Sequence, residues 1–192
     1  NHINPQGSFF GLMSKSGAFG LLSMGLYVLL YTPLKRISPF AITVGAIPGA
    51  IPFLLGFVAA TDNFGFAAGV LFAIQFFWQY PHFIAIAWVL DGEYKKAGFK
   101  MMIGGEKGKY PAFIAVITSV IMTVISISPF LWEVPLLFLS VYAAVIVFGL
   151  GVWFTLKSIK LYQKCDDVTA KQLMLSSFAY LPLMQIIYML DK

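Results

Sequence analysis

Three polar side chains recur at helical spacing inside one apolar run of the sequence. Gln75, Gln79 and His82 stand at positions i, i+4 and i+7, so on a helix they share one face, with Trp78 beside them. Pro81 lies in the same stretch and is expected to kink the helix. Polar groups in an apolar span are costly and usually functional, so this face would form the wall of a polar cavity. The alternative is that these side chains only join the helix to a neighbour.

A second group of candidate residues stands where an apolar run ends. Tyr31 is followed by Lys35 and Arg36, and two cations at the end of a span can bind a phosphate. The same cations would also serve as an ordinary basic anchor at the membrane surface. The pattern therefore indicates an anion site or an anchor.

Two carboxylates follow the run that holds His82. Asp91 and Glu93 precede Tyr94, and one or two carboxylates together with substrate phosphates are the usual ligands of Mg²⁺. Carboxylates at this spacing can equally be solvated charges of a loop. The pair is thus a candidate metal site.

Glycine and proline alternate in the run between these two groups. Gly45 and Gly49 form a GxxxG spacing that lets helices approach closely. Pro48 and Pro52 in the same span predict a broken helix beside a cavity. Close packing alone would also explain the glycines.

The elements that position these residues must cross a membrane. Of the 192 residues, 59% are hydrophobic and 11% are charged, whereas a soluble domain has about 25% charged residues. Six apolar runs reach the roughly 20 residues that a spanning helix needs, and they are too long and too uniformly apolar for barrel strands. They cover residues 12–31, 40–60, 64–90, 110–131, 134–156 and 172–190. We predict an all-α integral membrane protein with one domain over residues 1–192.

The basic residues are concentrated in three connections between the runs. Residues 32–39, 91–109 and 157–171 hold all of the 13 lysines and arginines except Lys15 and Lys192. The positive-inside bias places this side in the cytoplasm, so the net charge of +5 indicates topology rather than nucleic-acid binding. The longest connection, 91–109, is amphipathic and is expected to lie in the interface as a short helix.

Together these features predict a cavity within the membrane that opens toward the basic side. Cations and carboxylates stand at its mouth, and Gln, Trp and His stand at its wall. Such a cavity suits a lipid that carries a diphosphate better than it suits an ion path. An ion path would place charges within the spans, and the sequence places them only at the ends.

Four stretches of the sequence resemble the UbiA-type prenyltransferases. Residues 31–36 (YTPLKR) and 45–52 (GAIPGAIP) are similar to the Y-T-x-x-K-R and G-x-x-x-G-x-x-P segments of that family. Residues 78–83 (WQYPHF) resemble the W-Q-x-P-H-F signature of its heme O synthase branch, the protoheme IX farnesyltransferases. Residues 94–101 (YKKAGFKM) match that branch's Y-x-x-A-G-x-x-M segment, and Asn4-Pro5 and residues 180–182 (YLP) also fall where the branch tends to have them. The resemblance covers essentially the whole chain.

The resemblance implies a fold and an activity. The fold would be a UbiA-like bundle of about nine spans, of which about six are present, so the chain would be the C-terminal two-thirds of the family's domain. The activity would transfer a farnesyl group from farnesyl diphosphate to a vinyl group of heme B, giving heme O and diphosphate, with Mg²⁺ bound through the diphosphate. Heme A synthase is a further partner that it suggests. The expected location is the bacterial inner membrane, with the active site on the cytoplasmic side.

The resemblance also assigns roles to individual residues. The diphosphate would be bound by two tyrosines and three cations, namely Tyr31, Lys35, Arg36, Tyr94 and Lys100. Mg²⁺ would be bound by Asp91 and Glu93. The catalytic residues that face the porphyrin would be His82, Gln79 and Trp78. For His82, the partner could be the iron, a propionate or only a neighbouring helix.

Two departures from the family pattern lead to further expectations. The family's first acidic motif would lie before Asn1, so this chain by itself is expected to be inactive. Glu93 stands where the family usually has Asp, and its longer side chain changes the geometry of a metal site. The alternatives are a UbiA-type enzyme that prenylates an aromatic quinone precursor, and a transporter or non-enzymatic membrane subunit. Residues 78–83 argue against the first, and a transporter would favour repeated halves with broken helices.

Overall fold

The computed structural model describes residues 17–61, 63–132, 134 and 136–191, so the predicted match at Asn4-Pro5 lies outside the described residues. The described part is helical and contains no strand. Its helices are α1 Gly17–Ile37, α2 Ala41–Thr61, α3 Phe66–Val89, α4 Asp91–Lys96, α5 Lys109–Leu131, α6 Val141–Lys164 and α7 Asp167–Leu190. All of them except α4 are long and apolar enough to cross a membrane. The predicted class and the six predicted spans are therefore confirmed.

Helix α3 is the centre of the bundle. It packs against α2, α5 and α7, while α5 and α7 both pack against α6. Trp88 of α3 is completely buried, and Gln75, Gln79 and His82 are 7%, 3% and 9% exposed. The polar face predicted for this span therefore lies between helices and not against lipid, as the cost of polar groups in hydrocarbon requires.

Helix α2 continues without a break across Pro48 and Pro52, so the predicted broken helix is wrong. Pro52 lacks the N–H that would pair with the carbonyl oxygen of Pro48. The hydroxyl of Ser23 in α1 donates to that oxygen over 3.1 Å and replaces the missing amide. Hydroxyls of neighbouring helices are one means by which spans tolerate proline. Helix α3 is likewise continuous through Pro81.

The fifth apolar run, 134–156, differs most from the helix that it predicts. Helix α6 begins only after Ser140, whose hydroxyl caps the first turn, and it continues beyond residue 156 to the end of a lysine-bearing segment. It stops at Cys165, which has a left-handed backbone with φ 49°. Asp166 then caps α7 by accepting from the N–H of Thr169 over 2.7 Å, and this bonding lowers the pKa of the Asp166 carboxyl. The predicted connection 157–171 therefore shrinks to residues 165–166, and its lysines belong to helix ends.

The three basic segments meet at one end of the bundle. The backbone N–H of Lys100 donates to the carbonyl oxygen of Lys35 over 2.7 Å. Lys107 pairs with Asp167 at 2.6 Å, and the indole N–H of Trp88 donates to the same carboxylate over 3.0 Å. These contacts join the first and second segments and the second and third.

The longest segment, 91–109, is only partly what its amphipathic pattern predicts. It begins as the short helix α4, as expected. Met101 and Met102, however, are 5% and 4% exposed and pack into the core. The segment is therefore tied to the bundle, because its apolar residues find protein partners there.

Candidate functional site

A cavity of about 400 Å³ lies between α1, α2 and α3. It contains two of the predicted site residues, together with aromatic, glycine and proline neighbours. Its lining is Gly20, Ser23, Met24, Tyr27, Tyr31, Gly45, Pro48, Gly49, Gln79 and Phe83. The cavity is thus mainly apolar with a few polar groups, as is usual for a site that binds an organic ligand.

The two glycines of the GxxxG spacing make room for the predicted site residues. A methyl group at Gly45 would lie 2.7 Å from two ring carbons of Tyr31, which is itself 7% exposed. A methyl group at Gly49 would collide with the side-chain amide of Gln79. The close packing that the sequence predicts is therefore between helix backbone and side chain.

Gln79 is held in place by its amide nitrogen. Its Nε2 donates to the carbonyl oxygens of Ala46 in α2, over 3.1 Å, and of Gln75 in α3, over 3.3 Å. Both amide hydrogens are thereby used. The amide oxygen is the atom nearest to Gly49, so Gln79 presents an acceptor at the wall of the cavity.

Cations surround the end of α1 nearest to this cavity. The Lys35 ammonium lies 4.5 Å from the centre of the Tyr31 ring and 5.7 Å from that of Phe99. The Arg36 guanidinium carbon lies 6.0 Å from the same Phe99 ring. A backbone hydrogen bond brings Lys100 next to Lys35. We call Lys35, Arg36 and Lys100 the cationic rim.

Sequence reasoning missed Phe99, whose ring underlies two cations of the rim. The signal that could have found it is Gly98, which has φ 72° and reverses the chain after α4. The N–H of Phe99 then donates to the carbonyl oxygen of Tyr94 over 2.8 Å, and the two rings meet edge to face at 6.3 Å. The turn thereby brings Phe99 beneath the rim.

The rim is free to bind an anion, as far as the described residues show. The ion pairs among them are Lys95–Asp91, Lys96–Glu93 and Lys107–Asp167, so no carboxylate pairs with a rim cation. Arginine and lysine together match the charge and geometry of a phosphate. Both roles that the sequence leaves open for Lys35 and Arg36, the anion site and the basic anchor, are compatible with this geometry.

A cleft of about 430 Å³ next to the rim contains the first predicted metal ligand. Its lining includes Asp91, Tyr94, Lys95 and Lys100. Asp91 is 15% exposed and pairs with Lys95 at 2.9 Å, and the hydrogen bond from this pairing raises the pKa of the lysine. Burial raises the pKa of the Tyr94 phenol, so this group is a neutral donor at physiological pH.

The second predicted metal ligand lies apart from this cleft. Glu93 is 71% exposed and pairs with Lys96 at 3.0 Å. Residues two apart on a helix such as α4 do not face each other, which separates Glu93 from Asp91. The described residues contain no group of three or more His, Cys, Asp or Glu side chains that could hold a metal. Asp91 alone fits the donor set of one carboxylate plus substrate phosphates that Mg²⁺ accepts.

Trp78 and His82 face α7, whereas Gln79 faces α2. The two rings are stacked, with centres 4.5 Å apart and planes at 17°. The indole N–H of Trp78 donates to the carbonyl oxygen of Ser177 over 3.2 Å, and Nδ1 of His82 lies 2.7 Å from the hydroxyl of the same serine. The structure therefore divides the predicted stripe between two neighbouring helices. Ser177 was missed, and its separation of 95 residues from His82 left no signal in the sequence.

Gln75 lines a different cavity, of about 690 Å³, between α2, α3 and α7. Its amide oxygen is buried without a hydrogen-bond partner among the described residues. The other lining residues are mainly apolar. Gln75 therefore does not join Gln79 at the wall of the first cavity.

Comparison with known proteins identifies the family of the chain. The sequence profile described as the UbiA prenyltransferase family matches residues 7–181. A protoheme IX farnesyltransferase of Flavobacterium psychrophilum is 48% identical over 178 residues, which are 93% of this chain and 59% of that protein. Proteins of the same name from Flavobacterium johnsoniae and Christiangramia forsetii are 44% and 42% identical, over 95% and 93% of this chain and 61% and 59% of theirs. No solved structure matches.

The fold and the site define an integral membrane protein whose helices surround a cavity with a cationic rim. The chain belongs to the UbiA prenyltransferase family. It spans about 60% of the length of the curated relatives that it matches.

Proposed function

We propose that this chain supplies the diphosphate site and part of the acceptor site of a heme O synthase. The reaction transfers a farnesyl group from farnesyl diphosphate to a vinyl group of heme B, giving heme O and diphosphate. The relatives named protoheme IX farnesyltransferase support this choice within the family. The same proposal places the protein in the bacterial inner membrane, with the rim on the cytoplasmic side, and makes heme A synthase a candidate partner.

The observation that carries the proposal is the position of the cationic rim. Lys35 stands over the ring of Tyr31, which lines the cavity between α1, α2 and α3. An amphiphile can therefore place its diphosphate on the rim and its apolar chain among Tyr27, Tyr31 and Phe83. A charged head beside an apolar cavity is the arrangement that a prenyl diphosphate requires.

The chain's residues act on the leaving group. When the C–O bond of farnesyl diphosphate breaks, the diphosphate leaves with the electron pair, and the rim cations stabilise its charge. Mg²⁺, held by Asp91 and the phosphates, would add Lewis-acid stabilisation of the same charge. Tyr94, a neutral donor in the adjoining cleft, would donate to a phosphate oxygen.

The remaining steps form the new bond. The apolar cavity keeps water from the allylic cation, and the vinyl carbon of heme B attacks the cation to form a C–C bond. The positive charge then lies next to the porphyrin, where water adds its oxygen and loses a proton. The product carries a hydroxyethylfarnesyl group. Gln79, whose amide oxygen lies next to Gly49 among the residues that line the cavity, would orient a donor at this wall.

A complementation experiment tests the proposal. The gene that contains this sequence, in its full length, and the 192-residue chain alone are each expressed in cells that lack heme O synthase, and extracted hemes are separated by chromatography. Heme O is expected from the full-length gene, and neither from the 192-residue chain alone nor from a full-length variant with both Lys35→Ala and Arg36→Ala. A membrane-inserted product that prenylates an aromatic acid and makes no heme O would overturn the proposal in favour of the quinone-precursor alternative.

A further inference from the structure

One serine of α7 contacts both aromatic side chains of the predicted catalytic group. The carbonyl oxygen of Ser177 accepts from the indole N–H of Trp78, and its hydroxyl oxygen lies 2.7 Å from Nδ1 of His82. Ser177 itself is completely buried. Its two contacts therefore set the positions of Trp78 and His82 relative to α7.

The hydrogen bonds of Ser177 determine where His82 carries its proton. The serine hydroxyl has one hydrogen, and it donates this hydrogen to the carbonyl oxygen of Met174 over 2.6 Å. Toward His82 the oxygen can then act only as an acceptor, so Nδ1 must be the donor. A neutral imidazole with its proton on Nδ1 has a lone pair on Nε2. Among the described residues, no hydrogen bond uses Nε2.

We infer that Ser177 is a positioning residue that fixes the Nδ1–H tautomer of His82 and presents Nε2 as a ligand to the iron of heme B. This inference rests on the proposed function for the identity of the porphyrin. Histidines that bind metals donate their second ring N–H to a fixed acceptor, which orients the ring and raises its basicity. Ser177 is such an acceptor. Stacking on Trp78 and an edge contact with Phe178, whose centre lies 5.1 Å away, hold the ring plane.

The adjacent serine is a matched control. Ser176 is also buried, and its hydroxyl donates to the carbonyl oxygen of Gln172 within α7, over 2.7 Å. Ser177→Ala and Ser176→Ala each remove one buried hydroxyl that bonds its own helix. Only Ser177→Ala removes the acceptor for His82, and it leaves the backbone carbonyl that holds Trp78.

Nitrogen-15 NMR of histidine-labelled protein in detergent micelles measures the tautomer directly. The chain has two histidines, His2 and His82, so a His2→Gln background leaves one set of signals. We expect Nδ1–H in the unsubstituted chain and in Ser176→Ala, and a new Nε2–H population in Ser177→Ala. An Nε2–H signal in the unsubstituted chain would overturn the tautomer assignment.

Heme B added to the same samples tests the iron assignment. In the ferrous state we expect an iron–histidine stretching band in the resonance Raman spectrum that disappears in His82→Ala. The affinity for heme should fall about tenfold or more in Ser177→Ala and stay unchanged in Ser176→Ala. Spectra that do not differ between the unsubstituted chain and His82→Ala would refute iron ligation. Neither measurement requires turnover, so failure of the full-length gene to make heme O in cells would refute the transferase proposal separately.

Discussion

The backbone N–H of Lys100 donates a 2.7 Å hydrogen bond to the carbonyl oxygen of Lys35. This bond ties the segment after α4 to the end of α1, two parts of the chain that are separated by the whole of α2 and α3. Lys35 and Arg36 both lie at one aromatic ring, that of Phe99, which directly precedes Lys100 in the chain. The relationship defines the charged end of the site.

Under the proposed function, the rim cations bind the substrate diphosphate. Lys35→Ala and Arg36→Ala should each raise the KM for farnesyl diphosphate by roughly 10- to 100-fold, because a hydrogen bond to a charged group contributes about 1.5–3 kcal/mol. Lys160→Ala is the control, since Lys160 is exposed on α6 and outside the rim. Assays of heme O formation in isolated membranes measure this effect. Equal changes in KM for all three variants would show that the overall positive charge of the protein, and not the position of the rim cations, affects substrate binding.

The two carboxylates of α4 should differ in their response to substitution. Asp91 lines the cleft beside the rim, whereas Glu93 is 71% exposed and pairs with Lys96. Asp91→Asn is expected to lower activity by at least ~10-fold and to increase the Mg²⁺ concentration needed for half-maximal rate. Glu93→Gln should change both by less than about twofold, because exposed ion pairs contribute little. A larger effect at Glu93 than at Asp91 would contradict the assignment of Asp91 as the carboxylate that faces the substrate.

Substitutions at two glycines of α2 distinguish the effect of packing in the site from the effect of helix propensity. Gly45→Ala places a methyl group 2.7 Å from the Tyr31 ring, and such overpacking typically costs about 1–3 kcal/mol. Gly56→Ala has no atom within 4 Å of the new methyl group and should be neutral or stabilising by up to about 1 kcal/mol. Thermal unfolding in detergent would measure both. A Gly45→Ala protein as stable as Gly56→Ala would contradict the fit of Tyr31 against α2.

The hydroxyl of Ser23 should stabilise the protein more when residue 52 is a proline than when it is an alanine. Ser23→Ala leaves the carbonyl oxygen of Pro48 unpaired, with an expected cost of about 0.6 kcal/mol, the average for hydrogen bonds between spans. Pro52→Ala restores a backbone N–H to that oxygen. In the Pro52→Ala background Ser23→Ala should therefore have a smaller effect, which a double-mutant cycle on thermal unfolding measures. Purely additive effects would show that the two residues are not coupled.

The order of spans and the charged end of the bundle followed from local patterns. Length and composition suffice to predict a membrane helix, because its backbone hydrogen bonds are internal to each span. The basic segments likewise carry their charge in the sequence itself, so their shared side was predictable. The motif residues Tyr31, Lys35, Arg36 and Asp91 were found in the same way, and their roles in binding stay predictions.

Other features depend on partners that only the tertiary structure supplies. Gln79 and His82 share a helix face, but their side chains bond to α2 and α7, and the choice between them depends on which helices pack against α3. The continuity of α2 through Pro52 depends on a hydroxyl of another span. The hydrogen-bond partner of His82 is a serine 95 residues away. Periodicity in the sequence indicates which face of a helix is polar. The packing of the helices decides which neighbour that face contacts, and so the arrangement of the site depends on the tertiary structure.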